Sequence, residues 1–272
     1  MLALADMQGL WNRSLLVRPD KTRDTTTWVA WLQGPTLFVD LRQPAGRPSF
    51  YGVRSLGDLS SEQITWLAEQ EGFAGRLEQD EEFFVWRRVL DFQPMSRTPD
   101  SGRLYFEGEI MVEEGRHSPY IEHWHREPAA ASPCAAMQLC DRRGTLGFLV
   151  RAGETFMYAR AGDSKSRPAE SRLSDGLDEA ASLEAARQLV DCEISFGQVS
   201  GTAWTIVRSS LPYREGARLD PKIDRFENRC GTADVAADGS AMQRHWDIME
   251  LEGDVTALGE EAEREAEVVE HS

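Results

Sequence analysis

Short apolar runs separated by turn residues recur along most of the chain, and many of them alternate between apolar and polar positions. Three clear examples are TTTWVAWLQ (25–33), EFFVWRRVLDF (82–92) and CEISFGQV (192–199). Alternation with a period of two is typical of half-buried β-strands, and turn residues such as Gly34-Pro35 between the runs suit tight antiparallel connections. The pattern predicts an all-β protein built as an antiparallel barrel or sandwich, not a parallel α/β sheet.

Two helices interrupt the strand pattern. Ser60 or Ser61 can cap a helix over SEQITWLAEQEG (61–72), in which Ile64, Leu67 and Ala68 share one face. A second helix is predicted over Ser182–Val190, with Ser182 as its cap. The polar segment Gly162–Asp178 is predicted to be a long exposed loop.

A junction rich in proline and alanine, EPAAASPC (127–134), divides the strand candidates into two groups of similar size. It predicts a first barrel over residues 1–130 and a second barrel or half-barrel over 131–254. Residues 255–272 are predicted to be an acidic, disordered tail, because charged residues dominate the end of the chain. The segment from Glu252 onward holds eight acidic residues and one arginine, which contribute −7 of the net charge of −16.

Charge, hydropathy and missing motifs disfavour several classes of partner. A net charge of −16 with no basic patch disfavours nucleic acid. No stretch approaches the roughly 18 apolar residues of a membrane span, and the first residues lack a signal-peptide pattern. The four cysteines have no metal-ligand spacing, and GxGxxG and P-loop patterns are missing, so we expect no cofactor. The cysteines are predicted to be free thiols, which indicates a reducing, cytoplasmic location. The oligomeric state stays open.

Several blocks of sequence resemble a known group of proteins. They are Gly9-Leu10-Trp11, RDTTTWVAWLQGPTLFVDLRQP (23–44), LSSEQITWLAEQEGFAG (59–75), WRRVLDFQP (86–94), DSGRL (100–104), MVEEG…YIEHWHR (111–126), and CEISFGQVSGTAWTIVRSSLPYREG (192–216). The chain resembles a bacterial group of uncharacterised lipocalin-like proteins and is similar to a fungal protein with two lipocalin-like barrels. The resemblance implies lipocalin-like antiparallel barrels, most simply two packed together, and it supplies no reaction and no catalytic residues.

Alternation also selects candidate pocket residues. In EFFVWRRVLDF, the more aromatic face carries Trp86 and Arg88, so Arg88 is predicted to point into the barrel. A buried guanidinium needs a carboxylate, which a protein residue such as Glu122 or an acidic ligand can provide. In YIEHWHRE (120–127), the same reasoning places Tyr120, Glu122 and Trp124 on the inner face.

His123 and His125 then lie on the opposite face of that strand. Two histidines at i and i+2 can bind one metal ion, as in cupin-like enzymes, which is the metal alternative. No further motif supplies the remaining ligands, so surface histidines are the preferred interpretation. We expect no metal.

The preferred functional hypothesis is a cytoplasmic carrier or sensor that binds a small apolar or acid-bearing ligand in a barrel cavity. Its candidate ligand-binding residues are Trp86, Arg88, Tyr120, Glu122 and Trp124. One alternative is an enzyme, with either acid–base chemistry at Glu122 or Tyr120 or a metal at the two histidines. A second alternative is a protein-interaction scaffold that uses the outside of the barrel and the acidic tail.

Overall fold

A computed structural model describes residues 2–128, 131–162 and 172–261. Strands dominate this part of the chain. The helices are α1 (Ser61–Ala68), α2 (Leu173–Asp178) and α3 (Leu183–Leu189), with 3-10 turns at Leu4–Met7, Leu56–Asp58, Pro212–Arg214 and Val255–Ala257. The strands are β1 (Gly9–Val17), β2 (Arg23–Asp24), β3 (Trp28–Gln33), β4 (Leu37–Gln43), β5 (Glu71–Asp80), β6 (Phe83–Asp91), β7 (Asp100–Glu107), β8 (Ile110–Gly115), β9 (Ile121–Arg126), β10 (Cys134–Cys140), β11 (Leu146–Ala152), β12 (Thr155–Arg160), β13 (Glu193–Ser200), β14 (Ala203–Ser209), β15 (Lys222–Asp224), β16 (Arg229–Val235), β17 (Ala241–Gly253) and β18 (Glu260–Glu261).

The first sheet closes on itself. Its strands run in the order β2-β1-β3-β4-β5-β6-β7-β8-β9, and β1 also pairs with β9. Strands β1 and β3 to β9 therefore form an eight-stranded antiparallel barrel, to which the short β2 adds only two register pairs. The predicted all-β antiparallel barrel is confirmed.

Aromatic side chains fill the interior of this barrel. The ring of Trp31 lies 5.5 Å from that of Trp124, 5.6 Å from that of Trp86 and 6.0 Å from that of Trp11. The 3-10 turn at Leu4–Met7 plugs one end, where the indole N–H of Trp11 donates to the carbonyl of Met7 at 2.7 Å. Dense aromatic packing buries a large apolar area, so this end of the barrel is a solid core.

The second sheet is a half-barrel. Its strand order is β14-β13-β12-β11-β10-β17-β16-β15-β18, and its two ends do not pair directly within the described residues. Residues 216–219 span the gap between β14 and β16. The Leu219 N–H donates to the Trp204 carbonyl, and the Ala233 N–H donates to the Leu219 carbonyl, each at 2.9 Å. The prediction of a second barrel or half-barrel is confirmed in its half-barrel form.

The two sheets pack back to back. Leu37, Val39 and Leu41 on the outer face of β4 join Phe148 and Val150 of β11 in one apolar core. Apolar residues of α1 and α3 belong to the same core, so these helices cover one side of the junction. The caps predicted for both helices are confirmed, since Ser60 and Ser182 each accept a backbone hydrogen bond.

Three predictions about connecting segments need correction or stay untested. Residues 172–178 of the predicted polar loop contain helix α2, because Leu173 is fully buried against the shared core; residues 163–171 lie outside the described residues. Residues 255–261 of the predicted tail are ordered, since Leu258 is fully buried and β18 pairs with β15. Residues 262–272 also lie outside the described part. The division at 127–134 falls between the strands of the two sheets, and it stays a prediction as a domain boundary.

None of the helices in the described ranges is both long and apolar enough to cross a bilayer.

Candidate functional site: a lateral cleft in the first barrel

The wall of the first barrel opens between β6 and β7. These strands pair only from Phe83 with Arg103 to Trp86 with Asp100, whereas β6 continues to Asp91. The connecting segment 92–99 arches across this gap. A cavity of about 370 Å³ lies there, lined by 85–88 and Asp91 of β6, by 95–101, and by three residues of the turn before β9.

The five predicted binding residues divide into two groups. Trp86, Arg88 and Tyr120 line the cleft. Glu122 and Trp124 are buried behind it, in the barrel interior, and are not part of the lining. Of the five, three therefore face the cavity, and the other two lie in the barrel interior.

The two histidines lie on the outside. Burial along β9 alternates, with Glu122 and Trp124 buried and His125 exposed, which confirms the predicted orientation of this strand. The hydroxyl of Ser14 lies 2.7 Å from Nε2 of His125. Within residues 2–128, 131–162 and 172–261, no group of three or more His, Cys, Asp or Glu side chains could hold a metal ion.

Arg88 is held by two aspartates. Its Nη2 donates to Asp100 at 2.6 Å and its Nη1 to Asp91 at 3.2 Å. Its guanidinium also packs over the ring of Phe73, 3.5 Å from the centroid. The predicted pairing of Arg88 with Glu122 is wrong. Alternation places both side chains inside the barrel, but it does not show that β5 and β7, rather than β9, flank the strand that carries Arg88.

Glu122 has two other partners. Oε1 accepts from Arg13 at 2.5 Å and from Arg42 at 3.2 Å, and Arg42 also binds Asp40 at 2.9 Å. All four side chains are at least four-fifths buried. Arg13, Arg42 and Asp40 were missed in the sequence. Their inward positions follow from the alternation of β1 and β4, which could have identified them.

Glu113 on β8 is a further buried carboxyl that sequence reasoning missed. Its Oε1 accepts from the Tyr120 hydroxyl at 2.6 Å, and its Oε2 accepts from the Trp124 indole N–H at 3.0 Å. Burial, reinforced by the nearby charges of Glu122 and Asp100, raises the pKa of Glu113 to about 8. This side chain links Tyr120, at the cleft, to Trp124, in the core.

Two aspartates of the same region also hold protons more tightly than usual. Burial raises the pKa of Asp91 to about 6, against the opposing effect of Arg88. Burial likewise raises the pKa of Asp40, although Arg42 opposes the shift. Asp91, in the cleft wall, and Glu113, behind Tyr120, are therefore able to exchange protons near neutral pH.

Ser101 is a buried residue in the wall of the cleft. The residue is 3% exposed, and its Oγ has no hydrogen-bond partner among the residues that the structure describes. An unsatisfied buried hydroxyl costs about 1–3 kcal/mol, so such groups point to a bound molecule or water.

Comparisons with known proteins assign no family to this chain. No protein-family model matches the chain, and no curated protein matches it. Among solved structures, it is similar to the crystal structure of an uncharacterized protein, YLR301w, from Saccharomyces cerevisiae. The two are 11% identical with a TM-score of 0.49, over 90% of this chain and 98% of that chain.

Proposed function

We propose that the protein binds a small molecule in the lateral cleft of its first barrel. The observation that carries this proposal is the cavity of about 370 Å³ with the unsatisfied hydroxyl of Ser101 in its wall. The volume is within the range of roughly 300–1,000 Å³ that is typical of ligand pockets. Aromatic and charged groups converge on it from Trp86, Arg88 and Tyr120.

The cleft is a better site than the barrel interior expected from the sequence. The interior around Trp31 is filled by aromatic rings, whereas the cleft has apolar surface at Val85, Trp86 and Met95. An apolar ligand part can pack there, with polar ligand atoms directed at Arg88 or Asp100. An acid-bearing ligand, anchored by Arg88, is one version of the proposal.

The protein family, the cellular location and the cellular role are also part of the proposal. An eight-stranded closed antiparallel barrel that starts at Gly9-Leu10-Trp11 supports a relationship to lipocalin-like proteins. A cytoplasmic location and a role as carrier or sensor belong to the same proposal.

An acid–base enzyme is the second candidate function. The observation that favours it is the pair of carboxyls with raised pKa near one cleft, about 6 for Asp91 and about 8 for Glu113. Glu113 replaces Glu122 as the candidate proton donor. Turnover of a cleft-bound molecule that is lost in Glu113→Gln would support this function, and unchanged turnover would exclude Glu113 from it.

Native mass spectrometry of the protein purified from cells tests the binding proposal. We expect an adduct of one small molecule per chain, lost in Ser101→Leu, which fills the cleft, and kept in the control Ser61→Leu on the exposed face of α1. Circular dichroism and melting temperature check that both variants fold. An adduct that survives Ser101→Leu would place the ligand elsewhere, and a chain that carries no adduct would count against a carrier.

A further inference from the structure

We propose that the ligand carries a protonated amine, and that its nitrogen enters the inner end of the cleft beside Asp100, Ser101 and Tyr120. This inference rests on the proposed function, because it takes the cleft as the binding site and adds the chemistry of the ligand.

The charges around the inner end of the cleft are unbalanced. Arg88 pairs with Asp100, and nearby Arg13 and Arg42 pair with Asp24, Asp40 and Glu122. Arg18, whose side chain is 47% exposed to solvent, also lies 3.6 Å from Asp24. Glu113 lies beside them and is affected by the charges of Glu122 and Asp100. At neutral pH Glu113, with a pKa of about 8, keeps its proton, so four carboxylates face three buried guanidinium groups, even without Asp91, which Arg88 also contacts. A ligand that brings a positive charge would offset this excess.

Arginines at the rim of the cleft do not offset the excess of negative charge at its inner end. Arg87 is exposed and binds Glu78 at 2.9 Å on the outer surface. Arg97 is exposed in the segment that arches over the opening. Solvent screens charges at such positions far more than it screens the buried carboxyls.

Hydrogen-bond directions at the inner end also favour a donor on the ligand. The Tyr120 hydroxyl donates to Glu113 at 2.6 Å, and a lone pair of its oxygen can accept a further hydrogen bond. Arg88 donates to Oδ2 of Asp100 from both Nε and Nη2, while Oδ1 accepts no hydrogen bond within the described residues. The Ser101 hydroxyl can accept as well. An ammonium group has three donors and no acceptor, which matches this set.

The aromatic side chains in the wall of the cleft can also bind an ammonium group. Trp86 and Tyr120 line the cleft, and the faces of such rings attract ammonium ions. Val85 and Met95 extend the apolar surface toward the rim, where the rest of an amphipathic amine can pack.

Three probes that share a phenyl ring and differ in head group test the inference: 2-phenylethylamine, 2-phenylethanol and phenylacetate. Their dissociation constants for the full chain are measured by NMR titration at neutral pH. We expect the amine to bind at least tenfold more tightly than the alcohol, and phenylacetate to bind weakest. Asp100→Asn should weaken amine binding at least tenfold and leave alcohol binding within twofold, because it removes the charge and keeps the shape.

Two further variants test whether the amine binds at the inner end of the cleft. Asp247→Asn, on the exposed face of β17 in the half-barrel, should change no affinity. Tyr120→Phe keeps the ring and removes the acceptor, so it should weaken amine binding severalfold. It also provides a second test if Asp100→Asn does not fold.

Other outcomes overturn the inference. Tightest binding of phenylacetate would show that Arg88 anchors an acid, and equal affinities would show that the cleft does not distinguish head groups. Amine binding that both variants leave unchanged would place the amine elsewhere. In the first two cases, loss of probe binding in Ser101→Leu would still support the cleft as a site, so the proposed function would stand without the amine. If no probe binds, the amine inference fails, and the purified protein's native mass spectrum decides the broader proposal independently.

Discussion

Replacement of Glu113 by glutamine should change how the stability of the protein depends on pH. Glu113 is only 4% exposed, and its pKa rises from an ordinary value of 4.5 to about 8. The folded state therefore keeps a proton on this carboxyl over a range of pH in which the unfolded chain has lost it. Glutamine resembles the protonated carboxyl in shape, and it can still pair with Tyr120 and Trp124.

The sign follows from the number of bound protons. Between these two pKa values the folded state binds more protons than the unfolded state, so the free energy of unfolding of the wild type falls as the pH rises. One pKa unit corresponds to about 1.4 kcal/mol, so the loss is about 1.4 kcal/mol per pH unit across most of the interval and levels off above the folded pKa. The full effect is on the order of 5 kcal/mol, a large part of the 5–15 kcal/mol by which domains are typically stable.

Urea unfolding followed by tryptophan fluorescence, from about pH 5 to about pH 9, measures the effect. The difference in free energy of unfolding between Glu113→Gln and the wild type should grow in favour of the variant up to about pH 8, then become constant. The charged groups that face Glu113 are Glu122, Asp100 and Arg42, and they are the same in both proteins. Glu62→Gln, on the exposed side of α1, is the control and should show no such trend. A difference that is independent of pH, or that grows toward acid, would refute the reasoning.

Three further substitutions test contacts around the site and between the two sheets. Arg88→Met removes the ion pairs to Asp91 and Asp100, so we expect a loss of about 3 kcal/mol in the free energy of unfolding at neutral pH; a loss below about 1 kcal/mol would show that the pairs contribute little. Gly115→Ala would place a Cβ 2.3 Å from the Ser118 carbonyl and 2.4 Å from the Tyr120 ring, and should cost about 1–3 kcal/mol. The control Gly231→Ala meets only the end of the Gln243 side chain, so equal melting temperatures for the two variants would contradict this explanation. Glu252→Ala removes the acceptor of the Thr36 and Leu37 backbone N–H groups, at 2.8 and 2.7 Å, and should lower stability by about 2 kcal/mol in calorimetry; a neutral result would show that this link between the two sheets is dispensable.

Local pattern predicted much of the fold and part of the site. The alternation of β6 and β9 placed Trp86, Glu122 and Trp124 inside the barrel, and the caps of α1 and α3 were visible as serines before apolar stripes. Such features depend on neighbours in sequence, which explains why they could be identified. Helix α2 was missed because it has only six residues and its buried Leu173 stands within a polar stretch.

Pairing between distant strands could not be derived in the same way. Alternation places a side chain inside a barrel, but it does not show which strand lies opposite. That is why Arg88 was given Glu122 as a partner when it contacts Asp91 and Asp100. The opening between β6 and β7 likewise depends on where their register ends, and no local signal shows that the two strands separate after Trp86.

A crystallographic fragment screen of the full chain tests the central claim most directly. We expect fragments to occupy the lateral cleft, in contact with Trp86, Asp100, Ser101 and Tyr120, and Ser101→Leu to abolish this binding. Fragments bound reproducibly at other places, with the cleft empty in every data set, would contradict it.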